Sequence, residues 1–336
     1  MGEKIAFTVV KDEAPFLLEW VAFQRMIGFD TVIVYSNNST DDTDQLLTAL
    51  AAEGLVEHHI HDPGGIAPQG HAAWMLRRSG RVKTGDWIML SDPDEFLNIK
   101  FGSRRLEDLL GVLEQKQGIL VPWRLFGDAG QERFSGRSID PVYCRAAADP
   151  NPNNRVVKTL LRYGPEVSFL GIHTPNMVAD YWLNGKPFVS GKLTDIDPKL
   201  PNYAKWREQG QIAACEAQDT SYEHVQMNHH FTRSRACFAM KYRRGHGGMR
   251  PKNAATEPSV YADGRYGVYA DERYVTSNCN DVEDRSILAL KPGLDEMLAR
   301  FRAIPTIGMV QNKIEQAFQA YEADYLSERG NHGNAG

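Results

Sequence analysis

The first hundred residues alternate short apolar runs with helix-length segments, and that rhythm confines the chain to a sheet of mostly parallel strands. Residues 5–10 form a compact apolar run, read as a buried strand. Asp12-Glu13-Ala14-Pro15 follows, an acidic turn with proline near a helix start, so 16–27 is predicted helical. Gly28-Phe29-Asp30 closes that helix, and 31–35 is a β-branched second strand. Asn37-Asn38-Ser39-Thr40-Asp41-Asp42 supplies side chains able to cap a helix over 43–53. A strand over 55–60, a helix over 69–83 and a strand over 87–90 continue the pattern. Such units place helices on both faces of the sheet, and ligands gather beyond the carboxyl ends of its strands. Lys11-Asp12-Glu13, residues 36–42 and Asp92-Pro93-Asp94-Glu95 all fall at those ends. They are therefore expected to converge on one rim.

The remainder is less regular. Residues 119–124 read as a strand ending at Trp123, and 156–161 and 167–173 as two more, with a loop-rich stretch before them. Residues 175–225 offer few firm assignments, while 233–244 have helical spacing. Helices are expected over 294–302 and 309–326, the second amphipathic, before a polar end that frays.

Composition narrows the function classes. A net charge of −5 over 336 residues argues against a surface built for nucleic acid. No apolar run approaches the roughly 20 residues of a membrane-spanning helix, although peripheral contact with a membrane stays compatible. The start is too quickly interrupted by charge to read as a signal peptide. Cys144, Cys215, Cys237 and Cys279 are widely spaced, which suits a reducing compartment. The expectation is a soluble cytoplasmic enzyme.

Asp92 and Asp94 carry the chemistry. Strand alternation would aim both carboxylates to one side, where like charges repel unless a cation sits between them. A hard divalent ion such as Mg²⁺ or Mn²⁺ answers this, bound by carboxylates and phosphate oxygens. Alone, an Asp-x-Asp reads equally well as a solvated acidic turn. The apolar run before it and Phe96-Leu97 after it place it at a sheet edge.

A family resemblance then joins these segments. Val9-Val10-Lys11-Asp12-Glu13-Ala14-Pro15-Phe16-Leu17-Leu18-Glu19-Trp20 resembles the opening of glycosyltransferase family 2-like proteins, close to the family 92 branch. Asn37 to Thr43 resembles the family's second-strand motif, 86–97 its Asp-x-Asp segment and Trp123-Arg124-Leu125-Phe126-Gly127 the segment after it. Asn228-His229-His230-Phe231-Thr232-Arg233-Ser234 is similar to a later motif, continued by Phe238, Lys241, Arg244 and Gly245. Together these blocks span 5–245. The resemblance implies a GT-A fold, α/β with a mostly parallel central sheet, over 1–245: a nucleotide-sugar-binding half, 1–128, and an acceptor half, 129–245. A loop and helical extension would follow over 246–336.

It also implies roles. Val9, Lys11 and Glu13 would line the base and ribose of a nucleotide-sugar donor, UDP-linked. Asp92 would approach the ribose or the metal, and Asp94 would ligate Mn²⁺ or Mg²⁺. His229 would be a third metal ligand or a diphosphate contact. Lys241 and Arg244 would neutralise the departing diphosphate. Trp123 and Phe126 would offer an apolar face to a glycan or lipid-linked acceptor. The implied reaction moves a hexosyl unit, galactosyl among the candidates, to a hydroxyl with inversion.

Some positions depart from the family. Ser36 stands where many members carry a base-reading Asp, His230 replaces Tyr and Arg233 replaces Lys. No motif marks the carboxylate base, for which Asp195, Glu216, Asp219 and Glu223 are candidates on position alone. His58-His59-x-His61 reads more readily as a solvated strand edge than as a metal cluster. The basic run at 241–244 reads as a phosphate contact rather than an RNA site, and glycines 245, 247 and 248 read as a hinge for a closing segment. The rivals are a metal-dependent phosphoesterase and a non-catalytic nucleotide- or sugar-binding module on the same fold.

Overall fold

The computed structural model describes residues 2–243 and 272–333. Arg244 and the glycines of the predicted hinge lie outside the described residues.

The alternation produces four parallel strands with helices between them: β1 (Lys4–Val10), α1 (Ala14–Ile27), β2 (Thr31–Ser36), α2 (Thr43–Ala52), β3 (Glu57–Ile60), α3 (Pro68–Ser79) and β4 (Trp87–Leu90). α3 ends four residues short of the predicted boundary, because Gly80 turns left-handed at φ 66° and its N–H caps the Arg77 carbonyl. The chain then forms β5 (Glu95–Ile99), α4 (Leu106–Val112), β6 (Gly118–Leu125) and β7 (Arg145–Ala146). It continues through β8 (Val157–Arg162), β9 (Val167–Phe169), β10 (Asn176–Met177), α5 (Tyr181–Asn184) and β11 (Phe188–Val189). α6 (Pro201–Gln209), β12 (Val225–His229) and α7 (Arg235–Arg243) follow, then β13 (Val282–Glu283), α8 (Lys291–Arg302) and α9 (Pro305–Gly333).

Among the described residues nine strands join in one sheet, ordered β3-β2-β1-β4-β8-β6-β12-β5, with β11 also paired to β6. β8 runs antiparallel between β4 and β6, and β12 lies parallel to β6 and antiparallel to β5. This mostly parallel sheet, flanked by helices and followed by a helical part, is the α/β architecture expected of a GT-A fold. The 1–128 and 129–245 segments are woven through it: β12 sits between β6 and β5.

Each face of the sheet has its own core. On one, α1 is apolar nearly all round and buried nearly all round. It packs in a cluster that also holds Leu294, Leu298, Phe301, Ile307 and Ile314 from the C-terminal helices. On the other face Phe7, Ile33, Leu76 and Ile88 pack with Tyr203 and Trp206. No helix among the described residues is long and apolar enough to cross a membrane.

Candidate functional site

β1, β2 and β4 end at one rim, and their terminal loops are tied together there. Asp12 turns left-handed at φ 49°, and its Oδ1 accepts the Thr40 N–H at 2.6 Å. The Glu13 N–H donates to Thr43 Oγ1 at 3.0 Å. Lys11 is half-buried beside this junction, and Glu13 is buried at the start of α1. Val9 is 8% exposed and packs in the core below, so it forms the floor of the rim. Ser36 is fully buried, with its hydroxyl 2.9 Å from His58 Nε2.

The acidic motif departs from strand alternation. Residues 92–95 make a tight turn in which the Glu95 N–H donates to the Asp92 carbonyl at 2.9 Å. The two aspartates consequently meet different partners. Asp92 Oδ1 accepts from Gln69 Nε2 at 2.8 Å, and Oδ2 lies 3.3 Å from Lys158 Nζ. Lys158 is completely buried and also lies 3.2 Å from Glu95 Oε2. Asp94 Oδ2 is paired with Lys241 Nζ and lies 3.4 Å from His229 Nε2. The cations that relieve the like charges are thus lysines of the chain itself.

The expected ligand set of Asp92, Asp94 and His229 is thus divided between two groups of partners. Among the described residues no three His, Cys, Asp or Glu side chains come together to hold a metal. Asp92 is turned away by Gln69 and Lys158. Asp94 and His229 remain a fitting two-residue donor set, and Asp94 Oδ1 is a buried oxygen without a hydrogen-bond partner among the described residues. Diphosphate oxygens or water would have to complete the shell of a divalent ion there.

Electrostatics follow this pairing. Burial pushes the Asp94 carboxyl upward, but Lys241 and His229 outweigh it and hold it well below the ordinary range. Burial raises Glu95 to about 8, against the pull of Lys158. At neutral pH, Asp92 and Asp94 are therefore charged opposite Lys158 and Lys241, while Glu95 largely keeps its proton.

Residues from the later motif hold the turn. Arg233, left-handed at φ 50°, donates from Nη2 to the Pro93 carbonyl at 2.9 Å and from Nε to Ser138 Oγ at 2.8 Å. The His230 N–H donates to the Asp94 carbonyl at 2.9 Å. Trp123 is half-buried, its ring centroid 4.2 Å from that of His229 and 5.6 Å from that of His173. His173 Nδ1 donates to the Val157 carbonyl at 3.0 Å, which fixes Nε2 as its acceptor nitrogen, and burial lowers this histidine to about 4.

Phe126 must be reassigned. It is completely buried, stacked on His230 at 4.8 Å, and presents no face to an acceptor. Lys241 lies at the site, while Arg244 lies outside the described residues. None of the four candidate bases is bonded to the cluster. Asp195 pairs with Lys116, Glu216 accepts from the Asn202 N–H, Asp219 accepts from the Tyr203 hydroxyl, and Glu223 is exposed. Lys158, Gln69 and Arg233 escaped the sequence reading as site residues. A lysine inside an apolar strand was the signal available for the first of them.

His230 carries a stability prediction. Neither of its buried ring nitrogens has a partner among the described residues, and burial lowers it to about 3. An unpartnered buried polar group costs about 1–3 kcal/mol. His230→Phe is expected to gain ~1 kcal/mol at pH 7, about 2 °C in Tm. The unfolded chain binds a proton below 6.5 while the native one does not, so wild-type stability falls as pH drops from 6.5 toward 3. The advantage of the variant should thus widen by ~2 kcal/mol at pH 5. Melting curves at both pH values check this, and a lower Tm for the variant would reveal a hidden partner.

Comparison with known proteins agrees with the motifs. Residues 8–140 match the family model of glycosyltransferase family 92. A glycosyltransferase family 92 protein of Ricinus communis is 25% identical over 156 residues, covering 45% of this chain and 28% of the relative. One from Oryza sativa subsp. japonica is 26% identical over 156 residues, covering 45% and 26%. The match thus spans little more than a quarter of either relative's length. Among solved structures, S. aureus TarS 1–349 superposes with a TM-score of 0.34 at 11% identity, over 94% of this chain and 92% of that one. That likeness is too distant to carry roles between residues. Over residues 8–140 the chain is similar to glycosyltransferase family 92, the branch that its motifs resemble.

Proposed function

We propose that the chain transfers a hexosyl unit from a nucleotide sugar, UDP-linked, to a hydroxyl of a glycan or lipid-linked acceptor. The observation that carries this reading is the buried Asp94 carboxylate, held between His229 and Lys241 at the rim where β1, β2 and β4 end. Lys11 and Glu13, beside that rim, would meet the nucleoside, and Trp123 would offer its ring to the acceptor. A divalent ion, Mn²⁺ or Mg²⁺, held by Asp94 and His229 would screen the charge of the diphosphate. Lys241 would bring a second positive charge to the same oxygens as the sugar–phosphate bond breaks and the diphosphate leaves with the electron pair. The oxygen of the acceptor hydroxyl forms the new bond to the anomeric carbon, and its proton passes to solvent. Inversion is what the family resemblance implies.

Titrating UDP with and without Mn²⁺ tests the reading. A ligand bound to the native state alone stabilises it by about 2.7 kcal/mol at a hundred times its Kd. Thermal stabilisation by UDP that depends on Mn²⁺, with turnover of a UDP-sugar, is the expected result. No shift with any nucleoside diphosphate would overturn the reading, and binding without turnover would leave a binding module in its place.

A further inference from the structure

The two lysines of the acidic cluster are not equivalent. Lys158 has no exposed surface and bridges Asp92 and Glu95, so it is a fixed counter-ion. Lys241 retains 23% side-chain exposure. Its Nζ rests on Asp94 Oδ2 and lies 4.2 Å above the Phe231 ring, held from two sides. Yet the oxygen it occupies is the one that faces His229 Nε2 at 3.4 Å. The ammonium therefore sits against the donor pair that best fits a divalent ion.

Charge decides what can replace it. The two aspartates and two lysines balance before any ligand arrives. A divalent ion added alone leaves two uncompensated positive charges in a largely buried site, which is costly. A diphosphate arriving with the ion restores the balance and gives the displaced ammonium new oxygens to bind.

We infer that Lys241 holds the metal's place on Asp94 in the free protein and yields it only when a nucleoside diphosphate arrives, making metal binding conditional on the donor. This rests on the nucleotide-sugar reading. Lys241 acts here as a positioning residue, since it governs when the metal reaches Asp94.

The test is Mn²⁺ binding followed by the loss of the free aquo-ion's EPR signal, with and without UDP, for the wild type, Lys241→Met and Lys241→Arg. Methionine keeps the apolar stem over Phe231 and removes the charge, while arginine keeps the charge. Without UDP, Lys241→Met is expected to bind Mn²⁺ at least about tenfold more tightly than wild type, and Lys241→Arg to remain weak. The tightening of Mn²⁺ by UDP should shrink by a similar factor in the methionine variant. An unchanged or weaker Mn²⁺ affinity in Lys241→Met without UDP overturns the inference, as does an arginine variant that behaves like the methionine one. If UDP binds none of the three proteins, the nucleotide-sugar reading fails, while the Mn²⁺ comparison without UDP still decides the role of Lys241.

Discussion

Replacing Asp94 by asparagine is expected to leave the fold standing and to lower sugar transfer by about a thousandfold or more, the scale seen when a preorganised charge contact is removed. Asparagine keeps the shape of the turn. The His230 N–H still reaches the residue-94 carbonyl, and Arg233 still holds the Pro93 carbonyl. What disappears is the negative charge that Lys241 and His229 maintain despite burial. Lys241 loses its partner but has solvent within reach, so the thermal cost stays small. Initial rates of UDP-sugar consumption, set beside a melting curve of the same preparation, check both halves. An Asp94→Asn protein within tenfold of wild type would exclude Asp94 from the reaction.

The convergence of Lys11-Asp12-Glu13, residues 36–42 and residues 92–95 on one rim was legible, because parallel strands joined by helices end on the same side whatever their side chains. The partner of each acid was not. Lys158 lies 63 residues beyond Glu95 in an otherwise apolar stretch, and no local pattern reports which strand of a mixed sheet will lie beside β4. The antiparallel insertion of β8 decides it. Strand alternation also misled at Asp92 and Asp94, since it assumes extended backbone where the chain turns at once into β5.

The later half hid its strands for a related reason. β12 reads Val-Gln-Met-Asn-His, a polar pattern, yet every residue of it is buried. Gln226 Nε2 donates to Asn228 Oδ1 at 2.8 Å and Asp284 Oδ2 at 2.9 Å, and Asn98 Nδ2 donates to Ser286 Oγ at 2.8 Å. Amides that bond one another can line a buried strand, even with Asn98 Oδ1 and Asn228 Nδ2 left without a partner among the described residues, and binary patterning has no means of foreseeing such a network. Phe126 failed differently. Its place in a motif beside Trp123 suggested a shared surface, but Phe126 continues the extended backbone, its N–H donating to the His229 carbonyl at 2.9 Å and its backbone bridged to Ala146, so alternation over three residues puts its ring on the side opposite Trp123, against His230.

Lys158→Met is expected to be the most destabilising of these substitutions, and its rescue is the sharper experiment. The ammonium is completely buried between Asp92 Oδ2 at 3.3 Å and Glu95 Oε2 at 3.2 Å. Removing one partner of a buried ion pair costs about 3–5 kcal/mol, because the remaining charge stays in the interior. In a chain of this length that is a fall in Tm of roughly 5–10 °C. The cost should not be shared equally by the two acids. The Asp92 side chain is 29% exposed and keeps its bond from Gln69, so water can take over part of the role of the lysine. Glu95 has no exposure, its Oε1 has no partner among the described residues, and burial has already raised it to about 8. At pH 9, above its value of about 8, Glu95 is ionised in the wild type, so adding Glu95→Gln there removes the group most injured by the loss of the ammonium while keeping an oxygen for the Asp92 N–H. The Lys158→Met, Glu95→Gln protein is therefore expected to regain at least ~2 kcal/mol over the single variant in a double-mutant cycle. Denaturant unfolding of wild type, both single variants and the double at pH 9 provides the measurement. If the two losses simply add, Lys158 is held by packing and does not compensate the charge of Glu95.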